Sequence, residues 1–344
     1  MKKRIIYIDV LNIIACICVV AMHCNGIVHT FSYDRAWKTS LIVETVAYWA
    51  VPIFFMITGA TLLDYTKKYS TRVYMKKRVL KTFVPFILWS FLFLIVRVRD
   101  GVFSMADLTP RNLITMVFNT QINNVYWFFP ALFTVYLGIP VFAYLKDEAK
   151  DKIINYVIVY GIFMIALLPC LCPLLGIQFN GELRPGICGG YMFLTLIGYR
   201  LSKAELSKKV RYVIYICGIG GWLIRFVSTL IISQRIGDIY RDLWGYFNFP
   251  SVMLSVAVFV WFQYHDWHLL EKHEGLQKLI STVSGCSFGV YLIHYYFVWK
   301  MPGILGLSTA SWQWRTLGIF VVYFVSLAIV WPIKKIPGIK YLVP

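Results

Sequence analysis

Residues 5–28 read IIYIDVLNIIACICVVAMHCNGIV, a run broken by few polar side chains. About twenty apolar residues wound as a helix cross the hydrocarbon core of a bilayer. The stretch is therefore a membrane-spanning helix, and its interruptions, Asp9, Asn12 and His23, are as informative as its apolar body. From Asn12 to His23 the helix makes three turns plus about 20°, so both side chains share a face about 16 Å apart along the axis. Asp9 lies one turn before Asn12 on nearly that face. Such a polar stripe at membrane depth is either a row of interhelical hydrogen bonds or a functional path. The preceding Lys2, Lys3 and Arg4 resemble the start of a signal peptide. The polar residues and the lack of a small-residue cleavage site predict instead a retained first helix.

The rest of the chain repeats the pattern. Of 344 residues, 59% are hydrophobic and 15% charged, with a mean hydropathy of +0.67. A soluble domain carries about a quarter charged residues, and that polar skin cannot be assembled here. No hydrophilic segment is long enough for a soluble module, which predicts a single transmembrane domain over residues 1–344. Ten segments satisfy the spanning ruler: 5–28, 41–63, 79–96, 125–145, 153–175, 187–201, 212–232, 246–264, 283–299 and 313–333. The fold class is all-α, a polytopic helical bundle in the membrane.

Alternating the loops between the two sides places 23 Lys and Arg on the side of the N-terminus and ten on the other, with Arg225 inside a helix. The basic side of a membrane protein is cytoplasmic, so both termini are expected there. The same rule accounts for the net charge of +18 without nucleic acid as a partner. The eight cysteines lack paired metal spacing. Cys172 and Cys188 flank one predicted outer loop, and their pairing stays open. His265, His268 and His273 share an inner loop with acidic residues, where a solvated loop is the simpler reading than a metal site; no metal is expected.

Several segments together carry a family resemblance. Ile8-Asp9-Val10-Leu11-Asn12-Ile13-Ile14-Ala15, then Val19-Val20-Ala21-Met22-His23, resembles the opening helix of the type 3 membrane acyltransferases. Val51-Pro52-Ile53-Phe54-Phe55-Met56-Ile57-Thr58-Gly59 is similar to their second helix. Arg78 to Pro85 resembles the basic entry to the third, with a basic pair three residues apart ahead of a proline. Tyr126-Trp127-Phe128-Phe129, with Tyr136 and Pro140, and Ser287-Phe288-Gly289-Val290-Tyr291-Leu292-Ile293-His294 match two later helices in family order. Each piece is weak alone; five in order across residues 8 to 294 are specific. One departure is that Asn12 stands where the family usually has arginine, so a neutral hydrogen-bonding group replaces a fixed cation.

The resemblance implies an acyl-CoA-dependent O-acyltransferase. It would move an acyl group, commonly acetyl, from cytoplasmic acyl-CoA to a hydroxyl of an extracytoplasmic glycan or lipid-linked sugar, within a bacterial cytoplasmic membrane. The donor is a substrate, and the further partners are membrane lipids and the acceptor; homo-oligomerisation stays open. Attack on a thioester by an alcohol needs a base and donors for the developing oxyanion. His23 suits the first role because a neutral imidazole accepts a proton near pH 7. Asp9 is assigned to the entrance, where it would pair with a basic neighbour, and Asn12 to a path for the pantetheine arm. Arg78 and Lys81 share a helix face and coincide with the family's basic pair, which suits CoA phosphates; a topology signal or lipid contact is the alternative.

Trp127 lines the acyl path or anchors at the interface. Arg225 is an oxyanion or substrate group, or a structural partner of Glu44. His294, with Tyr291 one turn earlier, belongs to the site or to the bundle's hydrogen bonds. Outside, Gln234 to Asn248 interleaves Tyr240, Trp244 and Tyr246 with charged residues, which suits a sugar or an interfacial anchor. The rival readings are a secondary transporter or glycan exporter, for which the expected internal repeat is not seen, and a non-catalytic relative.

Overall fold

The computed structural model describes residues 5–186 and 189–344. Among these the regular structure is helical throughout. The first helices are α1 (Ile6–Cys24), α2 (Arg35–Ala47), α3 (Ala50–Leu62), α4 (Thr71–Arg78) and α5 (Val84–Arg99). Then come α6 (Pro110–Phe118), α7 (Phe128–Ala143), α8 (Asp147–Gly161), α9 (Leu168–Leu174) and α10 (Tyr191–Lys203). The chain continues through α11 (Lys208–Ile236), α12 (Phe249–Tyr264), α13 (His268–Lys272), α14 (Glu274–Leu305) and α15 (Trp312–Lys335).

Among the described residues, seven helical stretches are long and apolar enough to cross a membrane: α1, α2 with α3, α4 with α5, α7, α8 with α9, α11 and α15. Helix α12 is apolar but shorter. Each of the ten segments read from the sequence overlaps one of these helices, α10 or α14. Residues 187 and 188, which open the shortest segment, lie outside the described residues, as does the proposed Cys188 partner of Cys172.

Two segments differ from simple spans for the same reason. The 41–63 segment begins at Arg35 and breaks at Tyr48–Trp49 into α2 and α3. A continuous helix would set the Pro52 ring against the Tyr48 carbonyl four residues earlier. Likewise a π turn over 79–83 joins α4 to α5 just before Pro85, which removes the helical partner of the Lys81 carbonyl.

Helix α1 runs through the middle, touching α2, α3, α12, α14 and α15. One of its faces, Leu11, Ala15, Val19 and Met22, packs into a core shared with α3, α7, α10 and α12. The other, Cys16, Val20 and Cys24, packs with Phe86, Leu292, Trp314 and Tyr323. Helices α3 and α10 lie unusually close: a Cβ on Gly59 would stand 1.8 Å from the Thr195 carbonyl oxygen, and one on Gly198 2.1 Å from that of Met56. Small residues permit such backbone approach between helices in lipid. The result holds α3, which carries Val51 and Phe54, as a wall of the cavity beside α1.

Candidate active site

A cavity of about 350 Å³ opens along the polar face of α1. Asn12 and His23 both line it, so two members of the stripe inferred from helical spacing face one space, while Asp9 lines a separate recess. Its narrow end is tied across from α1 to α14. The Asn12 carboxamide donates to the Ser284 carbonyl at 3.0 Å and to its hydroxyl at 3.1 Å. The Ser284 hydroxyl donates in turn to Asp9 Oδ1 at 2.7 Å. Asn12 and Ser284 also line a second recess with Asp9, Ile5, Ile8 and Thr61 at the start of α1. These two residues thus form a waist between the recess and the main cavity.

His23 stands further along the cavity, near the end of α1. Its ring centroid lies 5.3 Å from that of His294 and 5.3 Å from that of Tyr295, which meets it edge-on. His294 is fully buried. Its Nδ1 is 2.7 Å from the Tyr291 carbonyl oxygen, and a carbonyl only accepts, so Nδ1 carries the hydrogen. The Tyr291 ring lines the cavity while its hydroxyl donates to the Val125 carbonyl. Ser287 lines the same wall with a buried hydroxyl that has no protein partner.

The far end of the cavity is aromatic. Tyr48 stacks on Tyr246 at 4.4 Å, and Tyr246 on Trp127 at 5.6 Å. Trp244 joins them and meets His29 at 5.6 Å. Hydrogen bonds hold this wall: the Tyr48 hydroxyl donates to the Trp244 carbonyl, and the Trp244 indole to Thr229 at 3.1 Å. Thus the 234–248 loop reaches the cavity through Trp244 and Tyr246. Glu44, from α2, lines this end with a buried carboxylate oxygen that has no hydrogen-bond partner. Arg241 donates to the His29 carbonyl at 3.0 Å. Burial, with Arg241 adding to it, holds the His29 imidazole below its ordinary pKa, so this cavity residue is neutral at pH 7.

Other sequence candidates fall elsewhere. Arg225 is buried with its guanidinium 3.2 Å from the centre of the Tyr48 ring, behind the aromatic wall and not in the cavity lining. Among the described residues no ion pair within 4.0 Å joins it to Glu44. Arg78 and Lys81 stand in different surroundings, with a π turn beginning between them: Arg78 lies over the Tyr136 and Tyr74 rings at 5.2 and 5.7 Å. Lys81 instead lines a separate recess with Lys334, Lys335 and Gly285. That recess lies beside Ser284, the waist residue on the same turn of α14. On the inner loop, His268 Nδ1 pairs with Asp266 at 3.0 Å, and among the described residues no three metal-binding side chains converge.

His29, Tyr48 and Ser284 are cavity residues that sequence reasoning passed over, while Glu44 was read only as a partner of Arg225 and Ser287 only as part of a family motif. Glu44 carried the clearest signal, as a carboxylate inside an apolar segment.

A multi-pass helical bundle with a histidine-bearing cavity along its central helix defines a membrane protein with an internal reaction or binding chamber. The acyltransferase domain of the type 3 family matches residues 5–333, and the chain belongs to that family: it is a membrane acyltransferase. No curated protein and no solved structure matches it.

Proposed function

We propose that the protein transfers an acetyl group from cytoplasmic acetyl-CoA to a hydroxyl of an extracytoplasmic glycan or lipid-linked sugar, with His23 as general base. The observation that carries this reading is the cavity itself. It brings His23 between a narrow polar waist at one end and a stacked aromatic wall with a bare carboxylate at the other. With the N-terminal end facing the cytoplasm, the donor enters past Asp9 and threads its pantetheine arm through the Asn12–Ser284 waist. The Lys81, Lys334 and Lys335 recess beside that waist suits the phosphates of CoA better than the Arg78–Lys81 pair does. Arg78 is then a stacking residue of the bundle.

The acceptor lies against Tyr246 and Trp127, whose faces suit the apolar side of a sugar ring, while Glu44 accepts a hydroxyl hydrogen. His23 removes the proton of the reacting hydroxyl as its oxygen attacks the thioester carbonyl carbon. The tetrahedral intermediate collapses with cleavage of the carbon–sulfur bond, and the imidazolium returns its proton to the CoA sulfur. Ser287, with its unpartnered hydroxyl on the cavity wall, supplies a donor to the oxyanion. Arg225 holds Tyr48 in place from behind.

Inverted membrane vesicles given radiolabelled acetyl-CoA test the proposal. The parent should move label onto an acceptor, and His23→Gln should insert normally but lose roughly 10²–10⁴ in turnover. Near-parental turnover by a stable His23→Gln protein ends the assignment. Export of unmodified solute without label transfer would favour a transporter.

A further inference from the structure

The cavity, His23 and His294 are nested in that order. His23 lines the cavity, and His294 stands behind it with no exposed surface. The Tyr291 carbonyl, one turn back on the same helix, takes the Nδ1 hydrogen of His294. In a neutral imidazole the other nitrogen then bears only a lone pair. That nitrogen, Nε2, is buried and has no hydrogen-bond partner. An unmatched acceptor in a bundle interior is costly, so it is retained for a reason. The ring nearest to His294 is His23 at 5.3 Å, ahead of Tyr291 at 5.6 Å and Tyr295 at 6.5 Å. Two imidazoles at that centroid separation reach hydrogen-bond distance, about 3 Å between nitrogens, once a nitrogen of each ring is turned toward the other. Catalytic hydrogen bonds are often long until substrate is bound. Among the described residues His23 makes no hydrogen bond that would oppose such a rotation.

We propose that His294 is the positioning residue for His23. Its bare Nε2 accepts the N–H of His23, which leaves the other nitrogen of His23 facing the cavity as the base. Tyr291 sets the tautomer of His294, His294 sets that of His23, and the edge-on Tyr295 ring limits how far His23 can turn. This is the logic of a base oriented by a third group, built from two histidines and a backbone carbonyl. It rests on His23 being the base for acyl transfer. His294 touches no substrate, so it acts through His23 alone.

The test uses the full chain in lipid nanodiscs with histidine-selective ¹⁵N labelling, read beside steady-state kinetics with acetyl-CoA. In the parent, His294 should carry its hydrogen on Nδ1, and His23 should show one tautomer. His294→Leu should leave His23 as an exchanging mixture and lower kcat by about 10² or more with the donor KM unchanged. His294→Gln restores an acceptor near the position of Nε2, and should recover the single tautomer and most of the turnover. Hydrogen on Nε2 of His294 in the parent overturns the proposal. So does a single His23 tautomer in His294→Leu, or a His294→Gln protein that melts like the parent yet is as slow as the leucine variant. If His294→Leu does not fold, the parent spectrum and the glutamine variant decide. If the parent transfers no acetyl group, the functional reading fails, while the spectra still decide whether the two rings are paired.

Discussion

Replacing Asn12 by leucine probes the waist of the cavity, and its effects on folding and on donor use separate cleanly. The Asn12 carboxamide makes two bonds to Ser284, at 3.0 and 3.1 Å. Neither acceptor is orphaned when they go. The Ser284 carbonyl lies within α14, in the helix's own hydrogen-bond ladder, and its hydroxyl still reaches Asp9 at 2.7 Å. Interhelical bonds of this kind in membranes average about 0.6 kcal/mol. With no buried group left unmatched, the folding cost is about 1 kcal/mol, a melting shift of roughly 2 °C. Donor binding should suffer more visibly. If the pantetheine arm passes the waist, Asn12 exchanges its bonds to Ser284 for bonds to the arm, and leucine forfeits about 1–1.5 kcal/mol. That is roughly a five- to tenfold rise in the KM for acetyl-CoA. The kcat should hardly move, because His23 is about 16 Å further along the helix. Asn12→Arg, which installs the residue common in the family, sets a cation one turn from Asp9 and should bind donor at least as tightly as the parent. Initial rates against donor concentration, with melting curves in nanodiscs, give both quantities. A parental KM in well-folded Asn12→Leu refutes the path through the waist, and Asn12 is then a packing residue.

Two further outcomes are expected. Single cysteines at the exposed positions Ser70 and Asp238, in a cysteine-free background, should label from opposite sides of the membrane; labelling of both from outside intact cells would sink the ten-helix topology. Gly198→Ala places a methyl group 2.1 Å from the Met56 carbonyl oxygen, so α3 and α10 must part by more than an ångström. Overpacking of that kind costs about 1–3 kcal/mol, and a melting temperature equal to the parent's would show that the two helices are not held together as described.

What could be read from the chain, and what could not, follows from where each interaction is written. The stripe on α1 was legible because a single helix carries it: spacing alone puts Asn12 and His23 on one face, and lipid makes a polar face conspicuous. The partner of that stripe was not. Ser284 lies 272 positions from Asn12, and a serine in an apolar helix is ordinary until its neighbour is known. Glu44 was visible as a carboxylate in an apolar run, but a continuous 41–63 span hid its setting. The helix is interrupted at Tyr48–Trp49 ahead of Pro52, and Glu44 and Tyr48 line the cavity end where Trp244 and Tyr246 arrive from a distant loop. Arg78 and Lys81 show the limit of periodicity in its own terms. Their spacing matches an α-helical face, but a π turn ahead of a second proline, Pro85, begins between them, and the two side chains meet different surroundings. Helical arithmetic is therefore safest on α1, where no proline interrupts the ladder, and weakest at α2–α3 and α4–α5, where the ladder is interrupted ahead of a proline. The asymmetry explains why His23 could be placed on the cavity face from its own helix while the groups that surround it could not. It also says where to look next in this chain: at Ser284 and Ser287 of α14, whose spacing alone assigns them no role and which line the waist and one wall of the chamber.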